Sequence, residues 1–318
     1  MYYLKKIVSF TRQDFQLLKS FGLKTAYYNF SKNYIFRKNK GIGKRYYVKK
    51  YENAYQIIKN KYFDNKIFDT KQEVSNISEN EIIWLFWWQG IDENVPYTIK
   101  KCIENINKYK KNHKLIIISK DNMSEFITLP SYIFEKVNNG NISLVQLSDI
   151  IRAELLYTYG GIWMDSTVLL TDHFDKNMYN YSFYTIKHNQ FSDFHISSGL
   201  WSGFFLAAGK GHPLFLIMRT IFREYWKNED VLIAYLLIDI ILKIGYEDNM
   251  EIKEDIDNVP TNNTLVFYLD DHANDTSIDQ LSESIFKENY LHKLHYKRNF
   301  SRVVDNEVTL FGRLTNPD

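Results

Sequence analysis

The stretch SLVQLSDIIRAELLYTYGGIWMDSTVLL, residues 143–170, changes its hydrophobic pattern at a pair of glycines. Before the glycines, apolar residues recur at helical spacing from Leu147 to Tyr159, which predicts a helix over 143–161. After the glycines, the run IWMDSTVLL has the composition of a buried strand and predicts one strand over 162–170. The stretch therefore predicts a helix that leads directly into a strand.

Two further strands and two further helices are predicted upstream of this stretch. The runs IIWLFWW (82–88) and HKLIIIS (113–119) are short and apolar, which is typical of buried strands. Helices are predicted over 95–112, where Pro96 stands near the start, and over 129–140. The alternation of strands with helices predicts an α/β domain with a mostly parallel central sheet. Ligands of such sheets bind beyond the carboxyl ends of the strands.

The first 50 residues differ in charge from the rest of the chain. They contain 13 Lys and Arg residues and one acid, a net charge of +12, whereas the remainder has 27 Lys and Arg and 37 Asp and Glu, a net charge of −10. Twelve aromatic residues lie among these charges: Tyr2, Tyr3, Phe10, Phe15, Phe21, Tyr27, Tyr28, Phe30, Tyr34, Phe36, Tyr46 and Tyr47. Such a segment suits an anionic membrane surface, single-stranded nucleic acid, or packing of its rings on the main domain.

We favour the membrane surface for residues 1–50 and expect no nucleic-acid partner. The composition of the chain predicts two parts, a basic, aromatic helical extension over residues 1–78 and the α/β domain over 79–318. The chain has one cysteine, Cys102, so it forms no internal disulfide, and a reducing compartment is expected. Its start lacks the apolar region of a signal peptide. These features predict a cytoplasmic protein that lies on the inner face of the cell membrane.

The carboxylate of Asp165 stands inside the predicted strand over 162–170. A buried carboxylate is costly unless it is paired or binds a cation. The oxygens of Ser166 and Thr167 follow it, and a cluster of oxygens at a strand end suits Mg²⁺ or Mn²⁺. An aspartate that caps a turn at the end of the strand is the alternative.

Asp149 and Arg152 lie three residues apart and therefore share one face of the predicted helix. They are either an ordinary surface ion pair or a binding pair beside Asp165. In the second case the carboxylate would hold sugar hydroxyls and the guanidinium would hold a diphosphate.

The segment LSDIIRAELLYTYGGIWMDSTVLL resembles the signature of the capsular polysaccharide synthesis glycosyltransferases, which are related to glycosyltransferase family 32. That group has a helix of form S-D-x-x-R before G-G-x-x-x-D-x-D. IIWLFWWQG, SKDN (119–122) and HKLHYK (292–297) are also similar, so the resemblance covers roughly residues 80–300. It implies a GT-A fold, which is a Rossmann-like domain that binds a nucleotide sugar.

The resemblance also implies the reaction. A sugar would move from a nucleoside diphosphate sugar, with UDP as the expected nucleotide, to a capsule or surface-polysaccharide acceptor on a lipid carrier. The related families retain the anomeric configuration, and the implied cofactor is a divalent cation, Mn²⁺ or Mg²⁺. Bacterial origin is expected on the same ground.

The resemblance implies roles for residues of this chain in three groups. Asp165 matches the first Asp of D-x-D, and Thr167 stands where the second Asp is usual in the wider group. The implied metal ligands are Asp165, Thr167, Ser202 and His292. The implied nucleotide-sugar contacts are Trp84, Phe86, Trp87, Asp149, Arg152, Asp165, Ser166 and Lys293. The expected catalytic groups are Asp149, Arg152, Asp165 and Asp239.

Several of these residues keep a simpler interpretation. Trp84 would stack on uracil, although Trp87 or Trp88 could do so instead, and at least one of these last two is expected in a core. His292 would restore the ligand missing at Thr167, or it is an ordinary histidine.

Asp239 stands at the centre of the apolar run 231–246, which is too short to span a bilayer and predicts a buried helix. It is either a structural carboxylate or the base that an inverting reaction would require.

A second class of function remains open from the sequence. A non-catalytic protein could use the basic arm to bind a membrane or a nucleic acid, with Asp165 as an incidental acid. A metal-dependent phosphotransferase is disfavoured because the chain has no glycine-rich phosphate loop.

Overall fold

The computed structural model describes residues 2–64, 74–190, 193–277 and 289–315, with side chains from residue 12 onward. The helices are α1 (Tyr2–Phe30), a π-helical segment (Ser31–Ile35), α2 (Ile42–Tyr62), α3 (Tyr97–Tyr109), α4 (Met123–Phe126), α5 (Ser131–Asn138), α6 (Leu144–Tyr159), a 3₁₀ segment (Lys176–Asn180), α7 (Pro213–Asn228), α8 (Leu237–Asp248), α9 (Met250–Asn258), α10 (Tyr268–His272) and α11 (Leu310–Thr315). The strands are β1 (Ile82–Phe86), β2 (Lys114–Ile118), β3 (Gly161–Met164), β4 (Val168–Leu170), β5 (Phe183–Thr185), β6 (Phe205–Ala208), β7 (Leu291–Lys293), β8 (Val303–Val304) and β9 (Glu307–Val308).

The central sheet has five strands in the order β2-β1-β3-β6-β5. Strand β1 pairs in parallel with both β2 and β3, whereas β6 runs antiparallel to β3 and to β5. Four of the five strands therefore point the same way, and the predicted mostly parallel α/β sheet is confirmed. The predicted strands and helices upstream of residues 143–170 are present, with ends that differ by no more than three residues.

The junction between α6 and β3 depends on its two glycines. At the start of α6, the Ser143 and Gln146 side chains cap each other's backbone N–H groups. At its end, Gly160 and Gly161 have φ values of 71° and 103°. A Cβ on Gly160 would lie 2.6 Å from the Lys210 nitrogen, and one on Gly161 would lie 2.5 Å from the Ile82 oxygen. Only glycine fits both the conformation and the space, so the helix ends here and the strand starts inside the sheet.

The prediction of one strand over 162–170 is wrong, because the chain leaves the central sheet at Asp165. Strand β3 ends at Met164, and β4 belongs to a separate antiparallel pair with β7. Between them the backbone turns, with the Val168 N–H donating to the Asp165 oxygen at 2.9 Å. The Asp165 N–H donates to the Phe204 oxygen at 2.9 Å. Two different partner strands thus divide one apolar run, and Asp165 marks the division.

The prediction of a helix over 231–246 is also wrong in its first third. Helix α8 begins at Leu237, so Asp239 lies in its first turn rather than at its centre. The Tyr225 hydroxyl donates to the Val231 oxygen at 2.6 Å and accepts from the Ile233 N–H at 2.9 Å. These two bonds hold the preceding segment in a non-helical conformation. A carboxylate in the first turn is favoured by the helix dipole.

The amino-terminal segment is largely helical, as the sequence predicts, and part of it joins the main core. Helix α2 buries Tyr51, Ala54, Tyr55, Ile58 and Tyr62 in the same apolar cluster as the central sheet. The side chains of Tyr2, Tyr3 and Phe10 lie outside the described ones. The division at residue 78 stays a prediction. Among the described residues, no helix combines the length and the apolarity that crossing a bilayer requires.

Candidate functional site

A cavity of about 640 Å³ opens beyond the carboxyl ends of β1 and β3. Its walls come from the segment after β1, from α6, from the Asp165 turn, from residues 201–204 and from β7 with the residues that follow it. The volume falls within the range of about 300 to 1,000 Å³ that small-molecule sites occupy. The position is the one at which α/β sheets bind their ligands.

The carboxylate of Asp165 is the centre of a charged cluster at this cavity. Its Oδ1 atom accepts from Arg152 and from the Trp163 indole, each at 3.2 Å, and its Oδ2 atom accepts from Lys293 at 2.7 Å. Burial raises the pKa of Asp165, but the charges of Lys293 and Arg152 outweigh burial and hold it below its ordinary value. The side chain is 31% exposed and lines the cavity. Asp165 is therefore an ionised, doubly paired carboxylate rather than a simple turn cap.

Several protein groups hold Arg152 at the floor of the cavity. One guanidinium nitrogen donates to the Gly203 oxygen, and another lies 3.3 Å from Asp149 and 3.2 Å from Asp165. The guanidinium carbon stands 4.7 Å from the centre of the Trp163 ring. Because the Arg152 side chain is only 5% exposed, the interpretation of an ordinary surface ion pair with Asp149 is wrong. The structure gives a rigid positive charge that faces a ligand cavity.

Two further carboxyl groups, those of Asp149 and Asp239, lie near Arg152, and both line the cavity. Burial raises the pKa of Asp149 to about 7, with Arg152 opposing the rise and the charges of Asp165 and Asp239 adding to it. Burial also raises the pKa of Asp239 to about 6, although the Trp201 indole donates to its Oδ1 atom at 3.0 Å and opposes the rise. Both carboxyls therefore keep their protons to a higher pH than an ordinary aspartate, which suits groups that accept or donate a proton.

Lys293 reaches the Asp165 turn from the neighbouring strand. Strand β7 pairs with β4 so that Lys293 stands opposite Val168. Its ammonium donates to Asp165 at 2.7 Å and to the Thr167 hydroxyl at 2.5 Å, and it lies 5.4 Å from the centre of the Phe204 ring. The short β4–β7 pair thus brings a second cation to the cavity wall.

The residues predicted as metal ligands do not converge on one point. Asp165 and Thr167 face Lys293, and the Ser202 hydroxyl donates to the Ile186 oxygen at 2.8 Å. His292 is 0% exposed and does not line the cavity. It neighbours Lys293 on β7, so its side chain leaves the opposite face of the strand and lies 3.4 Å from Thr171.

Carboxylate and imidazole groups are the donors that a divalent ion would need most at this site. Within the described ranges, no three His, Cys, Asp or Glu side chains are grouped as a metal site. Each oxygen of the Asp165 carboxylate already accepts from a cation, Arg152 on one and Lys293 on the other. The residues present therefore do not fit a resident divalent cation.

Aromatic side chains after β1 make one wall of the cavity. Trp84 is not among them: it is 0% exposed, and its indole donates to the Gly160 oxygen at 3.0 Å. The prediction that Trp84 stacks on a base is therefore wrong, because the residue lies two positions before the end of β1, inside the core. Phe86, at the end of the strand, lines the cavity together with Trp87 and Trp88. Ser166 is buried beside this wall and donates to the Phe86 oxygen at 3.0 Å, which joins the Asp165 turn to β1.

Several cavity residues were not predicted from the sequence. Trp163 had a signal, since strand alternation places it on the same face as Asp165 two residues later. Trp201 stands directly before Ser202, but nothing local indicates that it reaches Asp239. His188 and His195 also line the cavity, brought there by an irregular segment that has no sequence signature.

Comparison with known proteins identifies the family. Residues 32–314 match the family of capsular polysaccharide synthesis proteins. Because this match covers most of the chain, the chain belongs to that family, and the resemblance of its signature segment is confirmed.

Two curated relatives are glycosyltransferases by name. Glycosyltransferase afumC of Aspergillus fumigatus is 25% identical over 162 residues, which are 47% of this chain and 41% of that protein. O-glycosyltransferase braB of Annulohypoxylon truncatum is 24% identical over 177 residues, 51% of this chain and 42% of that protein. The chain spans roughly two-fifths of the length of these relatives. Among solved structures, the PaToxG glycosyltransferase is similar over 79% of this chain and 98% of its own, with a TM-score of 0.38 and 14% identity.

Proposed function

We propose that this member of the capsular polysaccharide synthesis family is a glycosyltransferase that uses a nucleoside diphosphate sugar as its donor. In the reaction, the bond between the anomeric carbon and the diphosphate oxygen breaks, and its electron pair leaves with the diphosphate. An acceptor hydroxyl forms the new bond to the anomeric carbon, and its proton passes to the departing diphosphate. The observation that carries the proposal is the convergence of Arg152 and Lys293 on Asp165 inside a cavity at the strand ends.

The two cations account for departure of the diphosphate. Negative charge builds on the leaving oxygens, and fixed positive groups in a partly enclosed site stabilise that charge without reorganising. Arg152 is held by Gly203 and Trp163, and Lys293 by Asp165 and Thr167, so both are positioned before the donor binds.

The cavity also offers contacts for the other two parts of the donor. Asp149 and Asp239 would accept from sugar hydroxyls, and the wall of Phe86 and Trp87 would hold the base. We propose UDP as the nucleotide and a hexose as the sugar, on a domain of the GT-A type. The mostly parallel sheet with its site beyond β1 and β3 supports that fold assignment.

We propose that transfer proceeds with retention of anomeric configuration. A retaining reaction of this kind does not require a protein base, whereas inversion would require one, and Asp239 is then the candidate. The variant Asp239→Asn separates the two. Under retention we expect it to keep the stereochemistry and part of the rate, whereas loss of a general base would cost about 100-fold or more. A product of inverted configuration from the unmodified enzyme, observed by NMR, would contradict retention.

The acceptor is proposed to be a lipid-linked glycan at an anionic membrane surface, reached through the basic segment. Within residues 12–50, exposed apolar side chains lie close to exposed cations in the sequence, and the single acid, Asp14, is half-buried. The exposed apolar residues are Phe15, Leu18, Leu23, Tyr27, Phe30, Ile35 and Ile42. The exposed cations are Arg12, Lys19, Lys24, Arg37, Lys38, Lys40, Arg45 and Lys49. This combination suits the interface of an anionic bilayer. On this basis we propose a peripheral position on the cytoplasmic face of a bacterial cell membrane.

Vesicle binding tests the membrane proposal. Each lysine near an anionic surface contributes about 1 kcal/mol, so replacing four of them by glutamine should weaken binding by more than about 100-fold. The test variant changes Lys19, Lys24, Lys38 and Lys40. The control variant changes four exposed lysines of the α/β domain, Lys100, Lys108, Lys111 and Lys114. Equal binding of the two variants to phosphatidylserine vesicles would contradict the proposal.

The alternative of a non-catalytic binding protein predicts that the cavity is incidental. It leaves unexplained why Arg152 and Asp149 are buried together in a cavity wall, where an unused charge is costly.

Donor hydrolysis tests the proposed function. UDP-, GDP-, CMP- and dTDP-sugars would be offered to the unmodified protein, to Asp165→Asn and to Asp305→Asn. Asp305 is the matched control, because it is exposed in the turn between β8 and β9 and its φ of 49° also suits asparagine. We expect turnover of one donor, loss of that turnover in Asp165→Asn, and no change in Asp305→Asn. Equal turnover by both variants would contradict a role for the cavity.

A further inference from the structure

We infer that the Lys293 ammonium takes the place of a divalent cation at Asp165, so that this chain binds a nucleoside diphosphate without any metal ion. The inference rests on the proposed function and deepens it, since it concerns the same site. It departs from the expectation of Mn²⁺ or Mg²⁺ that the sequence raised.

The geometry places the ammonium where the ion would be held. Asp165 and Thr167 are the two positions from which the D-x-D pattern would supply metal ligands, and Lys293 donates to both, at 2.7 Å and 2.5 Å. An ammonium has three N–H donors. Two of them are used by these contacts among the described residues, so the third is available to an oxygen of a bound diphosphate.

The other atoms that could bind a metal ion already make hydrogen bonds within the protein. The second oxygen of Asp165 accepts from Arg152 and Trp163, and the Ser202 hydroxyl donates to a backbone oxygen. Thr167 supplies a neutral hydroxyl where a second carboxylate would bind a cation more strongly. A divalent ion would have to displace Lys293 and would gain one carboxylate in exchange.

The charge next to Asp165 on the side of Thr167 is positive. Lys293 contacts Asp165 at 2.7 Å there, whereas the carboxylate of Asp149 lies beside Arg152, at 3.3 Å. The ammonium at this position attracts a diphosphate and repels Mn²⁺ or Mg²⁺.

The protein itself positions Lys293, without help from a bound ligand. The pairing of β4 with β7 fixes its backbone, and Phe204 lies beside its ammonium at 5.4 Å. A cation held in this way stabilises developing charge on a leaving diphosphate without reorganisation.

Calorimetry with the full chain tests the inference. UDP, GDP, ADP, CDP and dTDP are titrated into chelator-treated protein, once in EDTA and once in excess Mn²⁺. For the nucleotide that binds, we expect dissociation constants within about threefold of each other under the two conditions. Electron paramagnetic resonance should detect no stoichiometric Mn²⁺ on the free protein.

Three variants distinguish a role of Lys293 at the diphosphate from a general loss of structure. Lys293→Gln should weaken binding of the nucleoside diphosphate at least tenfold while leaving binding of the nucleoside unchanged. The control Lys114→Gln, on an exposed strand position of β2, should change neither. The double variant Lys293→Gln/Thr167→Asp removes the ammonium and adds a carboxylate, and it should gain Mn²⁺ binding by paramagnetic resonance.

The outcomes distinguish failure of this inference from failure of the proposed function. Nucleotide binding that disappears in EDTA and returns with Mn²⁺ would overturn the inference and leave the transferase proposal standing. So would tight Mn²⁺ binding by the unmodified protein. Failure of every nucleoside diphosphate to bind, with and without Mn²⁺, would overturn both.

Discussion

Replacing Asp149 by asparagine should change how the stability of the protein depends on pH. The carboxyl of Asp149 is buried beside Asp165 and Asp239, and its pKa rises from 3.8 to about 7 on folding. Below the unfolded pKa it is protonated in both states and costs nothing. As the pH rises toward 7, the unfolded chain ionises the group freely while the folded protein resists, so folding stability is lost.

The size of the effect follows from the two pKa values. Linkage at about 1.4 kcal/mol per pH unit gives a loss of roughly 2.5 kcal/mol between pH 5 and pH 8, and the loss levels off above the folded pKa. Asparagine does not ionise, so Asp149→Asn should gain that amount relative to the unmodified protein over the same interval.

Urea denaturation at pH 5 and pH 8 measures the difference directly. The control Asp305→Asn alters an exposed aspartate and should keep a constant difference from the unmodified protein at both pH values. A difference between Asp149→Asn and the unmodified protein that does not change with pH would refute the assignment of a raised pKa to Asp149. It would then remain a paired carboxylate that is ionised throughout.

Two further substitutions, Gly161→Ala and Trp201→Phe, test the structure around the cavity, and Gly140→Ala is the control for the first. Gly161→Ala would place a Cβ 2.5 Å from the Ile82 oxygen at a φ of 103°, so we expect a loss of more than about 2 kcal/mol in urea denaturation. Gly140→Ala, at a φ of 82° with open space around it, should cost only about 1 kcal/mol. Trp201→Phe removes the donor to Asp239 and should raise the pKa of that carboxyl above about 6. The accompanying loss of stability, about 1 to 2 kcal/mol, should be larger at pH 8 than at pH 5, and an equal loss would argue against an ionised Asp239.

Local signals in the sequence account for much of the central sheet. The paired glycines and the short apolar runs each specify a structure that depends on neighbours in the chain. They therefore predicted the helix–strand junction and the strands that flank it.

The errors arise where distant partners decide the outcome. The run after Gly161 is uniformly apolar, and nothing local indicates that β6 pairs with its first half and β7 with its second. The late start of α8 depends on a hydroxyl of Tyr225, which belongs to another helix.

The site shows the same limit. Asp149, Arg152 and Asp165 were predicted because the helix and strand that carry them are adjacent in the chain. Lys293 was reached through the family resemblance, and the structure gives it contacts that the sequence does not specify. Trp84 and His292 were assigned to the site by type and position along a strand, but the depth of one and the strand face of the other remove them from the cavity.

A crystal structure of the protein with UDP, grown in EDTA, tests most directly whether the two cations of the cavity bind the diphosphate. We expect the diphosphate within hydrogen-bonding distance of Arg152 and Lys293, and the base against Phe86 and Trp87. A diphosphate bound away from both cations, or no nucleotide in this cavity at a concentration that saturates binding in solution, would contradict this expectation.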